Sequence, residues 1–99
     1  MNFETALSTE QAIAKLTGPT HYAFVITDVS RPPDRRAGFT LLGQMQARGI
    51  YLPTIIFTGK SVSREFAAEA ERLNAEAITN SPSELFKVVQ RLVGRIRMT

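Results

Sequence analysis

There is no cysteine in this chain, which excludes a disulfide scaffold, a thiolate metal centre and a thiol nucleophile. Tryptophan is also absent, and histidine occurs once, at His21. With nothing beside it to complete an acid–base pair, His21 reads as a solvated turn residue at the entrance to an apolar run, not as a general base. No apolar run approaches the roughly 20 residues of a membrane span. The start Met1-Asn2-Phe3-Glu4-Thr5 lacks the basic region and apolar core of a secretory signal, so a cytoplasmic location is expected. No internal repeat or low-complexity segment is present, and no constellation for hydrolytic or redox catalysis is visible, so the chain is not expected to be an enzyme.

What is present is ordinary for a globular domain. The 99 residues are 43% hydrophobic and 21% charged, which fits one domain over residues 1–99 with a single core of moderate size. The net charge is +3, and the basic residues are scattered apart from Arg31, Arg35 and Arg36 and the terminal Arg91, Arg95 and Arg97. A small basic nucleic-acid-binding protein is the alternative of a different class. No aromatic platform or known binding motif accompanies the charge, so nucleic acid is not the expected partner.

The stretch Tyr22 to Pro32 organises the rest. Tyr22-Ala23-Phe24-Val25-Ile26 is an apolar run of β-branched and aromatic type, bounded by Thr17-Gly18-Pro19 and Pro32-Pro33, as in a parallel strand covered on both faces. Asp28 stands where the run stops. Loops beyond the carboxyl ends of parallel strands line the ligand crevice, so a carboxylate there is placed for phosphate or metal chemistry; the plainer reading is a turn cap.

Around that strand the pattern alternates. Phe3 to Leu7 reads as a short edge strand. Ser8 with Gln11 three residues on forms a capping-box pattern opening a helix from about Thr9 to Leu16. Val29 to Ala37 is a polar loop with two prolines and three arginines. A second helix runs from Gly38 to near Arg48-Gly49, where glycine can take the left-handed cap. Pro53 to Phe57 is another buried strand, ending at Thr58-Gly59. Ser61 or Ser63 opens a third helix with Phe66, Ala67, Ala70, Leu73 and Ala77 inward and Glu65, Glu69, Glu71 and Arg72 outward. Ala75 to Thr79 is a short strand, and Asn80-Ser81-Pro82-Ser83 turns into a last helix whose Leu85, Val88, Val89, Leu92, Val93 and Ile96 lie on one face. This order predicts a parallel sheet with right-handed crossovers, four strands near 3–7, 22–28, 53–58 and 76–79, and a core including Val25, Ile26, Leu42, Ile55, Ile56 and Val89.

The order of elements and the residues at the strand ends resemble a response-regulator receiver domain of the CheY-like kind. Val25-Ile26-Thr27-Asp28 is similar to the strand ending in the phosphoacceptor aspartate, followed by Arg31-Pro32 where receivers usually have Met-Pro. Ala37-Gly38-Phe39-Thr40-Leu41-Leu42 resembles the stretch in which a glycine precedes the next helix. Pro53 to Gly59 is similar to the strand bearing the switch threonine, here Thr58, and Ala75 to Pro82 resembles the last strand and its lysine-proline turn. The likeness runs over nearly the whole chain from Phe3.

The resemblance implies a flavodoxin-like three-layer α/β fold, a parallel sheet with helices on both faces, here lacking the usual first strand and helix. It implies Asp28 as phosphoacceptor, with Thr58, Asn80 and Ser81 as candidate phosphate contacts. Receivers hold magnesium with a pair of acidic residues at the end of their first strand, which this chain lacks, so Asp28 is a weak metal ligand and magnesium is expected only if the phosphoacceptor reading holds. Asn80-Ser81 also stands where receivers place a lysine, and Lys60 belongs to a different loop. The expected role is therefore a pseudo-receiver, a protein-interaction module in two-component signalling or a phosphorelay. The alternative is a phosphoacceptor with Asp28 phosphorylated by a histidine kinase. The expected partner is that kinase or a downstream signalling protein. The edge and face left open by the absent first strand and helix also point to a homodimer.

Overall fold

A computed structural model describes residues 8–30, 36–59 and 61–97. Helices and strands alternate along them: α1 (Thr9–Leu16), β1 (Val25–Asp28), α2 (Ala37–Ala47), β2 (Thr54–Phe57), α3 (Arg64–Arg72), β3 (Ala77–Thr79) and α4 (Pro82–Arg97). The strands are parallel in the order β1-β2-β3, with Ile26 opposite Ile55 and Ile56 opposite Ile78. The expected alternation is thus observed with shorter strands, and the strand expected near 3–7 lies outside the described residues. Pro53 has no N–H to give, so it joins the sheet only as an acceptor, its carbonyl receiving the Val25 N–H at 2.9 Å.

The helix ends follow from local chemistry. Ser8 Oγ accepts the Gln11 N–H at 3.1 Å, and Ser63 Oγ accepts the Phe66 N–H at 3.1 Å, so both α1 and α3 open on a serine cap. Two helices also close alike. After α2, Gly49 takes a φ of 77°, the Gly49 N–H donates to the Gln46 carbonyl and the Ile50 N–H to the Met45 carbonyl. After α3, Asn74 takes a φ of 60°, its N–H donates to Glu71 and that of Ala75 to Ala70. Both are left-handed caps that satisfy the last carbonyls and turn an apolar residue back toward the core.

Successive residues of a strand face opposite sides of the sheet, and β2 separates two cores on that rule. Ile55 packs with Val88 and Leu92 of α4. Ile56 packs with Phe39 of α2, Ala70 of α3 and Val29. Alongside, Ile13 of α1 meets Leu41 and Met45 of α2 over Val25. The molecule therefore has three layers, with α4 on one face and α1, α2 and α3 on the other. Met45, Ile55 and Ile56 are fully buried, each such burial contributing roughly 1.5–3 kcal/mol.

Three expectations need correction. Ala77 stands in β3 and not on the third helix, which the left-handed Asn74 ends. Ile26 is 41% exposed: its register with Ile55 turns it to the α4 face, but α4 sits over Ile55 and Ala77. Ala67 is exposed rather than inward, because Phe66, Ala70 and Leu73 are the α3 residues that reach the core. Leu42, Ile55 and Ile56 are buried as expected, and Val25 and Val89 are half-buried against the core clusters.

The start of α2 is pressed onto the end of β1. The Gly38 N–H donates to the Val29 carbonyl at 3.0 Å, and a Cβ at Gly38 would lie 2.3 Å from the Asp28 carbonyl oxygen. Only glycine permits that approach. Gly94, inside α4, has nothing within 4 Å of its Cβ position. Gly38→Ala is expected to lose about 1–3 kcal/mol through overpacking against the main chain, whereas Gly94→Ala is expected to gain up to about 1 kcal/mol through helix propensity. Urea unfolding midpoints should move in opposite directions, and equal shifts would contradict the close approach.

Candidate functional site

In a parallel sheet all strands end on one side, where the following loops face each other. The register sets Asp28 beside Phe57 and Phe57 beside Thr79, so the loops after Asp28, Phe57 and Thr79 emerge side by side. A cavity of about 300 Å³ opens there, lined by Asp28, Val29, Ser30, Thr58 and Gly59. The structure thus brings together Asp28 and Thr58, two of the residues singled out in the sequence, and adds Ser30.

The main chain of this site is held from several directions. The Thr27 hydroxyl donates to the Asp28 carbonyl at 3.3 Å, Gly38 abuts that same carbonyl, and the Thr58 N–H donates to the Thr79 carbonyl at 3.0 Å. The Asp28 side chain is different: it is exposed, and among the described residues no hydrogen bond or ion pair engages its carboxylate. A fixed backbone here carries an uncommitted anionic group.

Asn80 and Ser81 do not line the cavity. Asn80 is exposed just past β3. The Ser81 N–H donates to Thr79 Oγ1 at 3.0 Å, and Ser81 Oγ accepts the Glu84 N–H at 3.3 Å while lying 3.1 Å from Ser83 Oγ. Ser81 is therefore the cap of α4. Among the described residues no group of three or more His, Cys, Asp or Glu side chains could hold a metal ion. Among the described residues Asp28 is the one carboxylate lining the cavity.

Arg36 is the participant that sequence reasoning missed. From the start of α2 its guanidinium reaches Glu65 at 3.6 Å and Glu69 at 3.4 Å on α3, and lies 5.4 Å above the Phe39 ring. Phe39 in turn meets Phe66 with ring centroids 5.5 Å apart. The start of α2 is thereby tied to α3, the helix that follows Thr58. Glu65 and Glu69, one turn apart on the outward face of α3, are the only local hint; their partner is far away in the chain.

No family model matches this chain, and no curated protein does. Among solved structures it is similar to the non-phosphorylated HemR receiver domain from Leptospira biflexa, with a TM-score of 0.72 and 20% sequence identity, over 91% of this chain and 72% of that one. That likeness, together with the parallel three-layer architecture, shows a receiver-type, flavodoxin-like fold.

Electrostatics at the Arg36 tie can be tested by pH. A hydrogen bond from Arg72 lowers the Glu69 pKa below its ordinary value near 4.5, with burial opposing and the charges of Arg72 and Arg36 assisting. A carboxyl whose folded pKa is depressed adds stability above its unfolded pKa and loses it as pH falls through the folded one. On acidification from neutral pH to about 3, the thermal midpoint should fall further for the natural chain than for Glu69→Gln, and the gap between them should close. Parallel curves for the two proteins would show that Glu69 carries no such linkage.

Proposed function

We propose that this chain is a signalling module of the pseudo-receiver type, which acts by binding a protein partner and uses neither catalysis nor a resident cofactor. The observation that carries the reading is the cavity itself: among the described residues Asp28 is its only carboxylate and no lysine lines it. Phosphoryl transfer to an aspartate depends on cationic groups that neutralise the incoming oxygens. Ser81, where a receiver has its lysine, spends its hydroxyl on capping α4.

The protein partner is a histidine kinase or a downstream signalling protein, and a second copy of the chain is a further candidate. Exposed Ile26 and Phe86 are apolar contacts available to such a partner. Nucleic acid is disfavoured because two groups of arginines have glutamates beside them: Arg91 and Arg95 converge on Glu76, and Arg36 is held by Glu65 and Glu69. No helix among the described residues is long and apolar enough to cross a membrane, and the proposed location is the cytoplasm.

One observation favours a second reading, phosphorylation of Asp28 by a histidine kinase: Thr58 lines the same cavity as Asp28 and could hydrogen-bond a phosphoryl group there. Incubation with acetyl phosphate and magnesium, followed by intact-mass spectrometry, separates the two. The expected spectrum shows the unmodified mass. A prompt gain of one phosphoryl group that disappears in Asp28→Asn would replace the pseudo-receiver reading with the phosphoacceptor one.

A further inference from the structure

We propose that the Asp28 cavity is a socket for a basic side chain, specifically an arginine presented by the partner protein. This rests on the pseudo-receiver reading, in which Asp28 remains a free carboxylate. Four observations converge on a guanidinium. The Asp28 side chain has no hydrogen-bond or ion-pair partner among the described residues, so an incoming cation displaces nothing within them. Its main chain is already fixed by Thr27 and Gly38, so little ordering opposes capture. The cavity, at about 300 Å³, is at the small end of ligand pockets, the size for a side chain and not for a folded segment. Its remaining described lining, Val29, Ser30, Thr58 and Gly59, offers the Ser30 hydroxyl and main-chain oxygen acceptors beside the carboxylate.

That set of acceptors distinguishes arginine from lysine and from a metal ion. A guanidinium presents five N–H donors in a planar fork, so two can engage the Asp28 carboxylate while others reach a neighbouring oxygen. An ammonium group is a compact, strongly hydrated charge and gains less from such spread acceptors. A divalent cation needs more hard oxygen ligands than the one carboxylate of the described lining and its neutral neighbours supply.

The test uses the whole 99-residue chain and N-acetyl-argininamide as the probe, followed by two-dimensional amide NMR. Saturable shifts are expected at Ser30, Thr58 and Gly59, with N-acetyl-lysinamide causing smaller ones at equal concentration. Added salt should weaken them. Asp28→Asn, which keeps the shape and removes the charge, should weaken binding by about tenfold or more. The natural chain's arginine-over-lysine preference and salt response need no variant, so they decide the matter even if Asp28→Asn folds poorly. Shifts that do not saturate, that are equal for the two probes, or that persist unchanged in a folded Asp28→Asn would overturn the proposal. Phosphorylation of Asp28 by acetyl phosphate would bring down the pseudo-receiver reading itself, whereas an unmodified Asp28 that ignores the arginine probe would bring down the socket alone.

Discussion

Strand β2 is buried on both faces, and adjacent isoleucines facing opposite ways are what divide the molecule into layers. Ile55 and Ile56 have no exposed surface, so each needs its own cover. A single helix covers one, and the helices on the other face cover its neighbour. Loss of either side would expose a strand with no polar side chain except Thr54, itself buried. The parallel direction of the sheet follows from the same need, because each crossover must carry a helix from the end of one strand back to the start of the next.

From that arrangement the site inherits its rigidity. Parallel register gathers the ends of three strands, and the fit of Gly38 against the Asp28 carbonyl sets where α2 begins and hence where Arg36 stands. Arg36 then holds α3 through Glu65 and Glu69, and Gln46 Nε2 on the same α2 donates to the Leu73 carbonyl at the far end of α3. These contacts matter because Ala70 is the only buried residue of α3. A helix so lightly embedded is positioned by its side-chain ties as much as by the core.

Local signals carried most of the architecture. The serine caps at Ser8 and Ser63, the glycine cap at Gly49 and the β-branched runs ending at Asp28 and Phe57 each have a short-range physical cause, and each was legible in the sequence. Asn74 was not, since asparagine takes the left-handed cap less regularly than glycine. Ile26 was misplaced for a different reason: a β-branched residue inside an apolar run looks buried whichever neighbour does or does not cover it. The juxtaposition of Asp28 with Thr58 came only through resemblance to a family, because two loops thirty residues apart in sequence share no local pattern. The tie from Arg36 to α3 had no route into a single-sequence reading, since ion pairs between distant elements depend on packing angles.

Charge placement links these features to the kind of partner the fold can meet. A net charge of +3 would by itself invite a polyanion, but Arg36, Arg72, Arg91 and Arg95 all lie against glutamates. Surface pairs of this kind contribute little stability, a median of roughly 0–1 kcal/mol, yet they change what the surface offers. The cations are presented with an anion beside them, which blunts the field that phosphate backbones exploit. Asp28, like Glu10, Glu71 and Glu84, has no described cation beside it, but it alone of these four lines the cavity at the strand ends. Its position at the strand ends, and not the overall charge, is what sets that end of the sheet apart from the paired surface.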